Sequence, residues 1–437
     1  MRFGTDGIRG VANAQLTPEL ALAIGRAAAR VLGGPVITVG RDPRWSGPML
    51  EAAFVAGACA EGVSVELLGV VPTPAVALRS ETANCPAAMI SASHNPFGDN
   101  GIKLFAPGGL KLSDEVQALL EAELDAAGAK ADAPTGRDVG TVGTYDVAPD
   151  YVRHVGESIP DGALAGLKVV LDCGNGASSD VASTVFTRLG AEVVALHVTP
   201  DGSNINDASG STHPESLRTA VVAEGAQLGF AFDGDADRML AVDHQGRLID
   251  GDQLIAVAAV DLKRRGLLVN DTVVVTVMSN LGFRIGMAAE GIEVVDTAVG
   301  DRYVLEALDQ GGHVLGGEQS GHIIFRDRAT TGDGVLSAVV IAEIVARTGR
   351  PLADLADAAM TRLPQVLRNV RIQAPMPDVT DRIADELTAA AAALGADGRV
   401  LVRPSGTEPV VRVMVEAVDA VTAQEWCDHL VQVVESL

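Results

Sequence analysis

The sequence predicts an α/β protein: three related α/β domains with mixed sheets, followed by a smaller α+β domain. Three observations carry this reading. Short β-branched runs alternate with alanine-rich segments of helical period through most of the chain. The stretches PVITVGRD (35–42), LKVVLDCGNGA (167–177) and DTVVVTVMSN (271–280) share one design, a buried-type strand that runs into a polar or glycine-containing loop and then a helix. Beyond LPQVLRNVRI (363–372) the pattern changes, and the 437 residues exceed what one ordinary core organises.

Taken in order, the first domain covers 1–146 and closes in a linker, GAKADAPTGRDVGTVGTYD (128–146), rich in Gly, Ala, Asp and Thr. The second covers 147–246 and ends near HQGRLIDGD (244–252), between a strand and a helix. The third runs over 247–364. The fourth, 365–437, reads as an extended run, one alanine-rich helix over Asp381–Leu394, a strand, the RPSGTEP loop, a second strand and a last helix.

Composition excludes several functions. A net charge of −24 with only 3% aromatic residues argues against nucleic-acid and anionic-membrane binding. The opening MRFGTDGIRG lacks the charged-then-apolar pattern of a secretory leader, and no uncharged apolar run reaches about 18 residues. A cytoplasmic protein is therefore expected. Cys59, Cys85, Cys173 and Cys427 are scattered singly, so neither a zinc site nor a disulfide framework is indicated. A phosphorylated ligand would be repelled by the global field, and its binding requires local cations or backbone N–H groups.

Four loops supply chemistry. SASHNP (91–96) follows an apolar run, and its residue types make a tight loop. Ser93 beside His94 suggests a hydrolase, but the GxSxG elbow is missing. Lys103, a little further on, offers a cation to the same place. DGDADR (233–238) follows the strand LGFAF and sets Asp233, Asp235 and Asp237 at alternate positions, with Arg238 beside them. Three carboxylates so close need a cation, and hard oxygen ligands select Mg²⁺ or Ca²⁺. An EF-hand is excluded, because the sixth position from Asp233 is Arg238 and the twelfth is His244. GGEQSGH (316–322) offers Glu318, Ser320 and His322 for sugar hydroxyls. RPSGTEPVVR (403–412) sets Arg403, Ser405, Thr407 and Arg412 around Gly406 as a phosphate nest. No GxxxxGK[ST] loop exists, and GNGASS (174–179) lacks the third glycine of a dinucleotide fingerprint.

In this order, from FGTDGIRG (3–10) to RPSGTEP, these strings strongly resemble the α-D-phosphohexomutase superfamily across essentially the whole chain. The resemblance implies four domains around a central cleft, with one loop from each. It implies that Ser93 carries phosphate, and that Asp233, Asp235 and Asp237 hold one Mg²⁺ with a phosphoserine oxygen as a further ligand. Arg9, Lys103 and His94 would stand near the phosphoserine, with either His94 or Lys103 assisting proton transfer, and Arg238 would neutralise charge on the transferring group. Glu318, Ser320 and Arg302 would meet the sugar. Arg403, Ser405, Gly406, Thr407 and Arg412 would grip the phosphate remote from the reaction. FGTDGIRG and Gln319 point to the branch that acts on glucosamine phosphate. The implied reaction interconverts its 6- and 1-phosphates, with glucosamine 1,6-bisphosphate or a similar hexose bisphosphate as intermediate or activator. Glucose or mannose phosphates as substrates, and a non-catalytic phosphosugar sensor, are the alternatives. A homodimer stands open beside a monomer.

Overall fold

The computed structural model describes residues 4, 6–126, 133–374, 376–404 and 409–437. Each of the three similar stretches forms a strand inside its own sheet. Val36–Arg41 lies in a seven-stranded sheet whose order is Ile8–Val11, Asp99–Ala106, Ala87–Ile90, Val36–Arg41, Ser64–Val70 and Val142–Thr144, with Leu110–Lys111 appended to Asp99–Ala106. Asp99–Ala106 runs antiparallel to Ile8–Val11 and to Ala87–Ile90, and the remaining pairs along this order are parallel, so the sheet is mixed. Helices cover the parallel part. Pro18–Leu32, for example, starts where the Thr17 hydroxyl accepts from the Leu20 N–H, carries proline at its first position, and stops at Gly33. Its Ala21, Ile24 and Ala28 join Leu50, Phe54 and Ala58 of the next helix in one core.

Lys168–Asp172 sits in a five-stranded sheet between Glu192–Leu196 and Leu228–Phe232, both parallel to it, while Met239–Asp243 and Leu248–Ile249 continue antiparallel. Thr272–Thr276 sits in a four-stranded sheet between Glu293–Thr297 and Leu315–Gly317, with Ile323–Phe325 closing it antiparallel. All five residues of Leu228–Phe232 and of Thr272–Thr276 are buried, as expected of strands covered on both faces.

Two compact units emerge: Met1–Met278 with Ile292–Ala356, and Ser279–Gly291 with Asp357–Leu437. In the second, Gln365–Arg371, Val410–Glu416 and Arg399–Pro404 form an antiparallel sheet. Val370, Val402, Val411 and Val413 pack there with Cys427, Leu430 and Val434 of the helix Ala420–Glu435. The early segment 279–291 joins this unit through polar anchoring. Asn280 caps the helix Leu281–Ala289 and also accepts from Leu363 N–H at 2.9 Å, while buried Glu416 accepts from Leu281 N–H at 2.9 Å and from Arg399 Nε at 2.6 Å.

Two expectations need correction. The linker 128–146 is not only a linker: its Val142–Thr144 adds a parallel edge strand to the first sheet. All three of those residues are exposed, so no hydrophobic alternation announced it. The helix expected over Asp381–Leu394 is broken into Val379–Arg382 and Ala384–Leu394, because Ile383, buried in the core, sits at φ −112° and ψ 23°. Among the described residues the four cysteines are unbridged, and no helix is long and apolar enough to cross a membrane.

Candidate active site

The fully buried strand Ala87–Ile90 delivers the chain to a loop that returns as Asp99–Ala106. At the loop's start, the Ser91 hydroxyl donates to buried Asp42 at 2.7 Å and accepts the Ser93 N–H at 2.9 Å. Ser93 is fully buried with φ 54°, a left-handed conformation that a non-glycine residue adopts only under constraint. Its Oγ donates to Asp233 Oδ2 at 2.5 Å and lies 3.2 Å from His94 Nδ1. Burial, then the cations Arg238 and Arg9, push the His94 imidazole down to about 4, so it is neutral at pH 7.

Asp233, Asp235 and Asp237 leave the buried strand Leu228–Phe232 in a turn where Ala236 takes φ 56°. One carboxylate oxygen from each lies within 4.8 Å of the others. Gly234 is required here, because a Cβ would stand 2.6 Å from the Ser93 carbonyl oxygen. Asp233 Oδ1 accepts the Arg238 N–H at 3.2 Å. Asp235 Oδ2 accepts from Thr73 Oγ1 at 2.6 Å and Lys103 Nζ at 2.7 Å, and Asp237 Oδ2 accepts from Lys103 at 3.0 Å. The two remaining oxygens, Asp235 Oδ1 and Asp237 Oδ1, are buried and accept no hydrogen bond among the described residues. Unsatisfied buried carboxylate oxygens are costly, and a hard divalent cation is the partner that suits them. Lys103 occupies the Oδ2 side, so it does not stand in an ion's way. Burial, then Asp237 and Asp235, push the Asp233 carboxyl well up. Burial acts the same way on Asp237, but Lys103, His322 and Arg238 outweigh it and hold that carboxyl well down.

Lys103 belongs to a ring in which buried carboxylates alternate with two lysines and a histidine. Asp6 Oδ2 is 3.0 Å from Lys103 Nζ, and Asp6 Oδ1 is 2.7 Å from Lys111 Nζ. Lys111 in turn meets Asp301 Oδ2 at 2.9 Å. His322, whose Nε2 accepts the Gly332 N–H at 3.2 Å, completes the ring between Asp301, 3.6 Å from Nε2, and Asp237, 3.8 Å from Nδ1. Arg9, on the strand Ile8–Val11, also pairs with Asp6. Burial disfavours the Lys103 ammonium, but Asp235, Asp237 and Asp6 more than compensate and keep it protonated well above the ordinary lysine range. Sequence reasoning named Lys103, Arg9 and Asp237 but missed Asp6, Lys111 and Asp301. Asp6 lies within FGTDGIRG, while Lys111 and Asp301 carry no local signal.

Glu318, Gln319 and Ser320 form the tip between Leu315–Gly317 and Ile323–Phe325. Glu318 Oε1 accepts the Gly300 N–H at 3.1 Å, and Ser320 is exposed. Gln319 Nε2 donates to Asp250 Oδ2 at 3.3 Å, which ties the tip to the start of the helix Gly251–Arg264. The Arg302 guanidinium is engaged by Asp114 at 2.7 Å and by the Tyr303 hydroxyl at 3.1 Å. In the second unit, Arg403 and Arg412 are direct cross-strand partners. Ser405, Gly406 and Thr407 lie outside the described residues.

Models of the phosphoglucomutase/phosphomannomutase α/β/α domains I, II and III match residues 1–131, 149–246 and 250–363, and the C-terminal domain model matches 357–433. A phosphoglucosamine mutase from Streptomyces avermitilis is 54% identical, with 99% of this chain and 98% of that protein covered. One from Rhodococcus opacus is 52% identical over 100% of this chain and 99% of that protein. Among solved structures, a phosphoglucomutase/phosphomannomutase family protein from Burkholderia thailandensis superposes with a TM-score of 0.81 at 29% identity, covering 99% of this chain and 97% of that one.

Proposed function

The chain belongs to the phosphoglucomutase/phosphomannomutase family, as a relative of its phosphoglucosamine mutases, and from that premise we propose how it interconverts glucosamine 6-phosphate and glucosamine 1-phosphate. Ser93 carries the phosphoryl group. A sugar hydroxyl attacks phosphorus, the P–Oγ bond breaks, and a 1,6-bisphosphate forms. The bisphosphate turns around and returns its other phosphoryl group to Ser93 Oγ, leaving the isomeric monophosphate. The observation that carries this reading is the Ser93 hydroxyl donating at 2.5 Å to Asp233, with two unsatisfied oxygens on Asp235 and Asp237.

Asp233, Asp235 and Asp237 would hold Mg²⁺, which when bound supplies neutralising charge for the transferring phosphoryl group. The chain's own side chains do the rest. Arg238, whose backbone N–H already holds Asp233, adds positive charge beside the group in transit. His94 is neutral and 3.2 Å from Oγ, the state a proton acceptor needs, while Lys103 stays protonated, the state a proton donor needs. Arg9 balances Asp6 next to Lys103. Glu318, Ser320 and Arg302 are assigned to the sugar, and Arg403, Ser405, Gly406, Thr407 and Arg412 to the phosphate that is not reacting. The working division is four domains, 1–146, 147–246, 247–364 and 365–437.

The test is Mg²⁺-dependent turnover of glucosamine 6-phosphate beside glucose 6-phosphate and mannose 6-phosphate, with a hexose bisphosphate activator present. A clear preference for the amino sugar is expected. Preference for a neutral hexose would overturn the substrate while leaving Ser93 and the Asp trio in place. Absence of turnover on all three would overturn the reaction.

A further inference from the structure

The Ser93 carbonyl oxygen is held from two sides. Arg44 Nη2 donates to it at 2.8 Å, and Asn206 Nδ2 donates to it at 2.9 Å. The same two side chains share a second acceptor, the Asn95 carbonyl, at 2.8 and 3.2 Å. The Arg44 guanidinium is fully buried. It also reaches the carbonyls of Asp99, at 3.0 Å, and Pro96, and it is balanced by Asp42 at 2.8 Å. Asp42 in turn holds Ser91, which accepts the Ser93 N–H. Both backbone polar groups of Ser93 are thus fixed by buried side chains, and Ser93 itself sits at φ 54°. Left to itself, a serine gains by leaving that region, so the two donors offset the strain.

Asn206 comes from the domain that carries the Asp trio, and Ser93 comes from the domain before it. Asn206 takes φ 58°, and its own N–H donates to the Gly174 carbonyl at 2.9 Å. Gly234, inside the trio, approaches both partners: a Cβ there would stand 2.6 Å from the Ser93 carbonyl and 3.0 Å from Asn206 Nδ2. One carbonyl oxygen is therefore the point where the Ser93 loop, the Asp trio and Asn206 meet.

We propose that Asn206, acting with Arg44, is a positioning residue: by holding the Ser93 carbonyl it keeps the phosphoryl-bearing Oγ in register with Asp233, Asp235 and Asp237 and out of alignment for attack by water. This rests on Ser93 being the phosphoryl carrier. In the unwanted reaction, water attacks phosphorus and the P–Oγ bond breaks. The water's proton passes to Oγ, giving free Ser93 and inorganic phosphate. Misplacement of a reacting atom by about 1 Å costs on the order of 100-fold in rate, so loosening one of two donors is expected to cost about tenfold.

The experiment uses the full chain as Asn206→Ala, with Arg44→Lys as a second variant that keeps charge beside Asp42 but lacks the planar fork that spans four carbonyls. Three quantities are read: kcat, KM for the sugar phosphate, and the half-life of phosphoserine without sugar, followed as an intact-mass difference of about 80 Da. Asn206→Ala is expected to lower kcat about tenfold with KM unchanged, and to shorten the phosphoserine half-life by a similar factor. Arg44→Lys is expected to move the same two quantities in the same directions. A merely structural asparagine would lower the melting temperature but leave kcat and the half-life of the folded fraction alone, and that result overturns the proposal. If Asn206→Ala does not fold, Arg44→Lys decides by the same readouts. Wild-type protein that never gains the 80 Da would instead overturn Ser93 as carrier, and the proposal with it.

Discussion

The trio around Ser93 and the arginine pair of the C-terminal hairpin are both assigned to phosphate, yet they are built on opposite principles. At the trio nearly every charge already has its opposite: Lys103 faces Asp235, Asp237 and Asp6, and Lys111 faces Asp6 and Asp301. Among the described residues, two of the trio's carboxylate oxygens are left without a hydrogen bond. On the hairpin, Arg403 and Arg412 stand directly opposite each other across two antiparallel strands. Like charges so placed destabilise a sheet. The first site has its charge compensated before substrate arrives, so its atoms are fixed for chemistry. The second sets two guanidiniums face to face across a hairpin, an arrangement of fork-shaped donors that suits holding an anion. Reaction and retention of one phosphosugar thus call for different electrostatics within one chain.

The largest way to break this comparison is at Ser93. Ser93→Ala is expected to lower turnover by about 10⁴-fold or more, since covalent transfer has no second carrier. The variant's intact mass should show no phosphate. Near-normal turnover would remove the covalent mechanism and leave the buried charge ring without a task.

Next in size is Asp235→Asn. It removes one carboxylate from the trio while keeping the shape that Thr73 and Lys103 contact. The Mg²⁺ concentration for half-maximal activity should rise about 10- to 100-fold, as expected when a ligand to a hard cation loses its charge. An unchanged metal titration would mean that the unsatisfied Asp235 Oδ1 serves some other partner.

What the sequence disclosed follows from this same architecture. Asp233, Asp235, Asp237 and Arg238 are neighbours in the chain, so one turn displays the whole set, and the strand LGFAF before it announces where that turn must be. Ser93 and His94 are legible for the same reason. Asp6, Lys111, Asp301, Arg44 and Asn206 act only after folding has brought distant segments together, and each sits in a context that an ordinary ion pair or turn would share. The sheets were legible through their central strands, each built on a short run of apolar, mostly β-branched residues. The edge strand Val142–Thr144 was not, because both its faces are exposed and only its partner Ser64–Val70 makes it a strand. The break at Ile383 was hidden by the alanine-rich, helix-favouring run that begins immediately after it at Ala384.

A smaller effect sharpens the hairpin half. Arg403→Ala should raise KM for the sugar phosphate about tenfold and lower kcat by a few-fold, because energy from binding a remote phosphate also serves the reaction. Phosphate should raise the stability of the wild type more than that of the variant, since the variant lacks one of the two facing guanidiniums. Thermal unfolding with and without phosphate checks this. An equal gain from phosphate in both proteins would show that Arg403 does not meet the anion, and the contrast with the trio would fall.

The smallest effect on turnover is expected at Asp333, an exception to compensation in the first unit. Its carboxylate accepts from the Tyr151 hydroxyl at 2.7 Å and from Leu336 N–H at 2.9 Å, capping the helix Gly334–Thr348, but burial outweighs these donors and pushes it up to about 6. A carboxyl with a raised folded pKa binds its proton more tightly in the folded state. Its contribution to stability therefore grows as pH falls from 7 toward 4, by about 1 kcal/mol between pH 7 and pH 5. His94 acts in the opposite sense, because its folded pKa of about 4 lies below the unfolded value and stability is lost as pH falls from about 6.5. Only a difference isolates Asp333. Asp333→Asn keeps an oxygen for both donors and cannot titrate, so activity should be unchanged at pH 7. Its stability relative to wild type should fall by about 1 kcal/mol between pH 7 and pH 5 in denaturant titrations. A pH-independent difference would mean that Asp333 is ionised with an ordinary affinity for protons, and that the first unit compensates this carboxylate as fully as it does the ring.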